Sequence, residues 1–257
     1  MVTDPDVIVG VVLCRRTSFV LDRFLTNQRE IQMAYPECRL VLATDEPDFV
    51  EELKEQISLH SVMGEVITYE TFKPEGARTR LWSITCGREA LRRHVLAKKA
   101  RFFLSLDADM VFDPSVVAIM KNRIAGFDAV FSGYPVSHQG PCVYASGCLL
   151  MKSRILNDFA FRCYEFGNGE VIDDSETVDW GLFRCHGKVN RGSFVSIKHY
   201  RSSQRYYAIE PHATGWFRRL TNNLLLRFIL TQISILVKYN IARKLQRCLY
   251  RLPNPES

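Results

Sequence analysis

The sequence predicts an α/β fold built on a mostly parallel central sheet. Up to about Tyr200, short apolar runs alternate with longer amphipathic stretches. Helical patterns separate the first four runs, which is the rhythm of a βαβ series. The runs also end in polar or charged residues, and in an open α/β sheet ligands gather at the strands' C-terminal ends.

Each element follows from its residues. Val7 to Leu13 is an uninterrupted apolar strand candidate that runs into Cys14-Arg15-Arg16-Thr17. A helix is expected near Phe19 to Tyr35, then a strand from Leu40 to Ala43 entering Thr44-Asp45-Glu46. A second helix, Phe49 to Leu59, precedes a strand at Val66 to Tyr69, and a third spans Arg80 to Lys98. Phe102 to Leu106 is the fourth strand. Ala129 to Ser132, Cys148 to Met151 and Phe194 to Ile197 complete the expected set.

The chain has 257 residues, 47% of them hydrophobic, enough for one large domain with an appendage. The boundary is expected near residue 210, with a globular unit at 1–210 and a helical segment at 211–257. The net charge of +6 is unevenly placed, because Pro211 to Arg251 holds eight Lys or Arg and no acidic residue. The basicity belongs to that segment. Eight cysteines without a Cys-x-x-Cys pair, several inside apolar runs, read as reduced buried thiols and not as a disulfide or zinc framework. The acidic start Met1-Val-Thr-Asp-Pro-Asp6 does not read as a signal peptide, so a cytoplasmic location is expected.

Asp107 and Asp109 are the most informative pair. A buried strand that delivers carboxylates at i and i+2 points both to one side of the sheet edge, where their repulsion is relieved by a shared cation. Oxygen donors at this spacing suit Mg²⁺ or Mn²⁺, often completed by substrate phosphates. With Arg15, Asp45 and Glu46 at neighbouring strand ends, the crevice suits a nucleoside diphosphate with a metal. No Gly-x-Gly-x-x-Gly or Walker loop occurs, which disfavours dinucleotide oxidoreductases and P-loop enzymes.

Further motifs follow in a fixed order. Arg88-Glu-Ala-Leu91 precedes Leu106-Asp-Ala-Asp109; Tyr144-Ala-Ser-Gly-Cys-Leu-Leu-Met-Lys152 comes next. Ser175-Glu-Thr-Val-Asp-Trp-Gly181 with Gly187-Lys-Val189, and then Val195-Ser-Ile-Lys-His199, complete the series. Over residues 7 to 200 the sequence resembles the GT-A glycosyltransferases, in particular the family 2-like sugar transferases.

The resemblance implies a Rossmann-like GT-A domain that transfers a sugar from a nucleotide-diphosphate sugar to an acceptor hydroxyl by an inverting route, with Mn²⁺ or Mg²⁺ as cofactor. Asp107-Ala-Asp109 then corresponds to the DXD motif. Asp109 would bind the metal directly, Asp107 the ribose or a metal-bound water, and His199 would be a further ligand. Gly147 falls in the small-residue segment lining the acceptor side. Family members carry Glu-Asp where this chain reads Glu176-Thr177-Val178-Asp179; Asp179, one helical turn from Glu176, is the favoured base, with Glu176 as its rival. Asp45 is expected to accept a hydrogen bond from a uracil or guanine ring, and Arg80 and Arg88 to meet phosphates as bidentate donors.

Two other readings compete. Asp107-Ala-Asp-Met-Val111, with Asp173-Asp174 later, also fits a haloacid-dehalogenase-type phosphohydrolase, although that family carries its motif on the first core strand. A membrane-associated adaptor with a degenerate site is the other. In the segment Trp216 to Arg251, Asn223, Arg227, Thr231, Ser234 and Lys238 form one narrow polar stripe on an otherwise apolar helix. Its apolar core, Leu224 to Val237, is short for a bilayer span and suits the surface of an anionic membrane. Packing on protein is the alternative. Nucleic-acid binding is not expected, since the basic residues are interleaved with aliphatic ones and not with stacking aromatics.

Overall fold

The computed structural model describes residues 5–72, 79–136, 143–162, 164–165, 171–172, 178, 181–183 and 185–211. Along them run β1 (Val7–Val12), α1 (Leu21–Ala34), β2 (Cys38–Thr44), α2 (Val50–Leu59), β3 (Gly64–Thr68), α3 (Thr79–Ala97), β4 (Phe102–Asp107) and β5 (Met110–Phe112). Then come α4 (Val116–Arg123), β6 (Ala129–Ser132), β7 (Cys148–Lys152), α5 (Ser153–Leu156), β8 (Tyr164–Glu165), β9 (Val171–Ile172), β10 (Val189–Gly192), β11 (Ile197–Tyr200) and β12 (Tyr206–Ile209). The segment expected to form a basic helix lies outside the described residues.

Seven strands form the central sheet in the order β10-β6-β7-β4-β1-β2-β3. Every neighbouring pair is parallel except those made by β7, which runs antiparallel to both β4 and β6. Alternation along β1 explains the layering. Val7, Val9 and Val11 face one core, shared with Leu21, Phe24, Leu25 and Ile31 of α1 and Leu53 of α2. Ile8 faces the other, shared with Leu91 and Val95 of α3. Both faces are covered, hence the near-continuous apolar runs.

A second, smaller antiparallel sheet of β12-β11-β5 stands at the end of β4. Asn27, buried on α1, holds its edge: the Asn27 Nδ2 donates to the Phe112 carbonyl at 2.8 Å, and the Phe112 amide donates to Asn27 Oδ1 at 2.9 Å. These two bonds satisfy the edge of β5 as a neighbouring strand would.

The first six expected strands and the three helices are present. Phe194 to Ile197 is not one strand. The amides of Phe194 and Val195 donate to the Ser132 hydroxyl at 3.1 and 3.3 Å, and the chain crosses there from the central sheet to the smaller one. β10 escaped prediction because it reads Val189-Asn-Arg-Gly192; its buried Arg191 guanidinium lies 4.7 Å from the centre of the Phe131 ring. Among the described residues Cys14, Cys38, Cys86, Cys148 and Cys185 are free thiols, and burial pushes Cys38 up to about 12. No helix among them is long and apolar enough to cross a membrane.

Asp6 ties the sheet's opposite end together. Its Oδ2 accepts from the Tyr35 hydroxyl at 2.6 Å and from Lys121 Nζ at 2.6 Å, and Arg101 stands 3.3 Å away. Burial opposes the ionised carboxylate, but Lys121, Tyr35 and Arg101 outweigh it and hold the group below its usual 3.8. A depressed carboxylate contributes stability above the unfolded value and loses it as pH falls through the folded one. Asp6→Asn should therefore cost about 1–3 kcal/mol at neutral pH. In urea titrations the gap to wild type should close as the pH drops below 3.8, where Asp6 protonates. A gap that persists in acid would contradict this account.

Candidate functional site

β4 ends at Asp107, a turn covers Ala108 and Asp109, and β5 begins at Met110. The two carboxylates therefore do not project from one straight strand, and their side chains take different partners. Asp107 Oδ1 accepts from Arg88 Nη2 at 2.7 Å, whereas Asp109 Oδ2 lies 3.3 Å from His199 Nε2. Against the expectation of a shared cation stands this observation: one oxygen of Asp107 already accepts from a guanidinium.

Arg88 is buried on α3, which packs across β1 and β2. Gly87 permits that approach, because a Cβ there would stand 2.8 Å from both methyls of Val12. Its neighbour Arg88 is thereby brought to the sheet end, where it meets a carboxylate. Burial pushes Asp107 above the usual carboxylate range; the Arg88 guanidinium opposes that push and the Asp109 charge adds to it.

Gly147 closes the other side of Asp107. β7 pairs with β4 as far as Leu106↔Cys148, and the Asp107 amide donates to the Gly147 carbonyl at 3.1 Å. A Cβ on Gly147 would lie 2.3 Å from Asp107 Oδ2 and 3.0 Å from the Tyr134 ring. Only hydrogen fits against the carboxylate, so this glycine shapes the site through Asp107.

His199 is buried on β11, opposite Met110 of β5. The Tyr200 amide donates to the Asp109 carbonyl at 2.7 Å, locking the turn to the small sheet. His199 Nδ1 stands 2.7 Å from the Pro135 carbonyl, which can only accept, so Nδ1 carries the proton. Nε2 then faces Asp109. Burial lowers the pKa of the ring, but the hydrogen bond and charge of Asp109 outweigh burial and raise it. The Tyr134 ring meets the imidazole edge to face at 5.9 Å.

The donor set fits a hard divalent cation. A carboxylate oxygen and an imidazole nitrogen 3.3 Å apart are close to the spacing of adjacent ligands on an ion of octahedral geometry, about 3 Å. The Pro135 carbonyl fixes the tautomer that leaves Nε2 able to ligate. Among the described residues no three His, Cys, Asp or Glu side chains converge, so Asp109 and His199 would hold a metal with oxygens from elsewhere.

Asp45 follows β2. Its Oδ2 accepts from the Ser83 hydroxyl of α3 at 2.8 Å and from the Thr71 hydroxyl. Arg15 is drawn to acidic residues instead: Glu52 at 2.7 Å, Asp48 at 3.5 Å and Glu46 at 3.9 Å, with its guanidinium over the Phe49 ring. A phosphate contact would have to displace these. Arg80 lies on α3 and its side chain is outside the described residues, as are Glu176 and Asp179. Tyr134, Pro135, Thr71 and Ser83 were not anticipated. Tyr134, just past β6, was open to the strand-end rule, while a carbonyl partner such as that of Pro135 leaves no mark in a sequence.

No protein-family model matches the chain, and no curated protein matches it in sequence. Solved structures do share its fold. A mannosyltransferase from Pyrobaculum calidifontis, solved with GDP-Man and Mn²⁺, superposes with a TM-score of 0.50 at 16% identity, over 71% of this chain and 53% of that one. S. aureus TarS 1–349 with UDP-GlcNAc gives 0.51 at 13% identity, over 82% and 59%. TarS 1–349 alone gives 0.53 at 11% identity, over 89% and 72%. The chain thus spans little more than half the length of the first two. With sheet order, layers and these likenesses in agreement, the chain has the GT-A fold.

Proposed function

We propose that the protein is a metal-dependent glycosyltransferase that moves a hexose from a nucleoside-diphosphate sugar to an acceptor hydroxyl by a single-displacement, inverting route. The observation that carries this reading is the division of labour at the end of β4: Asp107 bound to Arg88, and Asp109 facing His199. One carboxylate is neutralised within the protein. The other is left, beside a correctly tautomerised imidazole, for a cation. The same fold in proteins solved with GDP-Man and Mn²⁺ and with UDP-GlcNAc supports the donor class. A phosphohydrolase carrying its motif on the first core strand fits poorly, because this pair follows β4.

Asp109 and His199 would hold the cation, and Asp107, oriented by Arg88 and Gly147, would take the ribose or a metal-bound water. A divalent ion bound there supplies Lewis-acid stabilisation to the departing nucleoside diphosphate. On the acceptor side Asp179, or Glu176 one turn away, would take the proton from the attacking hydroxyl, which carboxylates near hydrogen-bond reach do efficiently. The basic segment 211–257 is the proposed contact with an anionic membrane surface, placing the domain on the inner face of a membrane.

A screen of nucleotide-sugars for Mn²⁺-dependent thermal stabilisation tests the function directly, since a ligand that binds only the folded state raises its apparent stability. Asp109→Asn should abolish the Mn²⁺-dependent part of nucleoside-diphosphate affinity while circular dichroism stays native. Unchanged metal dependence in that variant would remove Asp109 from the site.

Asp179→Asn should lower turnover by about 100-fold or more with donor affinity spared. Glu176→Gln should be milder. The reverse order would give the role to Glu176, and near-normal turnover in both would reject a carboxylate base from this stretch.

The membrane contact is tested by liposome co-sedimentation of the full chain against a form ending at His212, with neutral and anionic lipids. Anionic binding that needs residues 213–257 and weakens with salt is expected. Indifference of the full chain to anionic vesicles would return the segment to protein packing.

A further inference from the structure

The turn that joins β11 to β12 concentrates positive charge without counter-charge. From Gly187 to Ile209 the chain has no acidic residue, and the turn reads Arg201-Ser-Ser-Gln-Arg205, with a side-chain donor at every position. Tyr200↔Tyr206 is the last strand pair before it. The Arg201 amide donates to the Arg205 carbonyl at 2.8 Å, so the two exposed arginines stand opposite each other across its mouth. Arg23 of α1 reaches the tip, its Nη1 donating to the Ser203 carbonyl at 2.6 Å.

The turn is held in shape. The Arg201 guanidinium lies 5.7 Å from the centre of the Tyr207 ring, and its Nη2 donates to the Val136 carbonyl at 2.9 Å. Ser202 Oγ accepts from the amides of Gln204 and Arg205 at 3.4 and 3.2 Å, which leaves its own proton to donate. Elsewhere in the domain Arg15 pairs with Glu52, Arg88 with Asp107, Arg93 with Glu89, Arg101 with Asp6 and Arg154 with Asp128. Arg23, Arg201 and Arg205 pair with no carboxylate among the described residues. Like charges gathered in this way repel one another, and a bound anion relieves them.

This locus lies on the far side of His199 from the cation site. Nε2 faces Asp109, whereas Nδ1 faces the Pro135 carbonyl, whose neighbour at Val136 is the one Arg201 holds. A donor diphosphate is drawn to the cation and so belongs to the Nε2 side. Two guanidinium forks and a hydroxyl offer donors from more directions than the coplanar oxygens of a carboxylate can meet, and the tetrahedral oxygens of a phosphate match them.

Resting on the glycosyltransferase reading, we infer that Arg201, Arg205 and Ser202 bind a phosphate group of the acceptor, so that the hydroxyl to be glycosylated belongs to a phosphorylated compound. Arg201 is two residues along the strand from His199, about 7 Å, which keeps the bound phosphate close to the reacting end without touching the metal. Arg23 holds the turn in position from α1. The phosphate has two kinds of carrier, a small water-soluble polyol phosphate or a lipid, and the experiment separates them.

The test is titration calorimetry of the full chain, without metal, against inorganic phosphate and glycerol phosphate. Both should bind the wild type and weaken at least about tenfold in Arg201→Gln/Arg205→Gln, the size of one charge-assisted hydrogen bond lost. Arg201→Lys/Arg205→Lys keeps the charge without the fork and should fall between the two. UDP and GDP with saturating Mn²⁺ should bind the glutamine variant as they bind the wild type. Absent phosphate binding, or binding indifferent to both pairs of substitutions, overturns the inference; so does a parallel loss of nucleotide affinity, which would return the turn to the donor site. Sedimentation with vesicles of phosphatidic acid in phosphatidylcholine identifies the carrier: weaker binding of the glutamine variant assigns a lipid, and unchanged binding assigns a soluble phosphate. If neither nucleotide binds the wild type with Mn²⁺, the glycosyltransferase reading and the acceptor role fall together, while the phosphate titration still decides whether the turn binds an anion.

Discussion

The buried contact between Arg88 and Asp107 is the constraint on which the rest of the site depends. Two carboxylates two residues apart at a sheet end repel each other, and positive charge brought to them relieves that repulsion. The chain supplies one such charge from α3, at 2.7 Å, with the guanidinium almost wholly shielded from water. A buried guanidinium has its own desolvation cost, and only a carboxylate partner of good geometry offsets it. Each group therefore requires the other. Asp109 is then left with His199 and with unspent capacity for a cation.

That arrangement reaches back into the packing. Arg88 reaches Asp107 because α3 lies close on β1, and α3 lies close because Gly87 places no side chain against Val12. Gly147 bounds Asp107 from just before β7, the one antiparallel strand of the main sheet, whose pairing with β4 runs to Leu106, the last residue before Asp107. Asp109 is fixed differently. Its turn is held by the Tyr200 amide, β5 is held by Asn27 of α1, and β11 carries His199 to the same point. The large sheet positions one aspartate and the small sheet positions the other.

Much of this was legible in the sequence, and the exceptions have physical reasons. The parallel strands were readable because both faces are covered, which forces continuous apolar runs, and the helices between them because one stripe of each is buried. β10 was hidden because Val189 is its only apolar core residue, and the buried polar Asn190 and Arg191 find partners, the Arg123 carbonyl and the Phe131 ring, only through the fold. β5 and β12 were hidden by length, at three and four residues. The aspartate pair was visible as chemistry. Its split between Arg88 and His199 was not, because the Ala108-Asp109 turn depends on pairing with strands some 90 residues away. Arg15 shows the converse: its place after the first strand suggested a ligand contact, and only the fold brings Glu46, Asp48 and Glu52 around it.

The small sheet also joins the site to the basic end of the chain. β12 pairs with β11 from Tyr200↔Tyr206 to Ile197↔Ile209, and β11 carries His199. The positively charged segment begins two residues after β12 ends. Residue 211 therefore follows closely on the strand beside the one that carries His199. Arg23 on α1 braces that region, with its guanidinium 5.1 Å from the Tyr200 ring and a hydrogen bond of 2.6 Å to the Ser203 carbonyl. The last described strand is thus tied through β11 to the Asp109–His199 pair and, by Arg23, to α1 of the main domain.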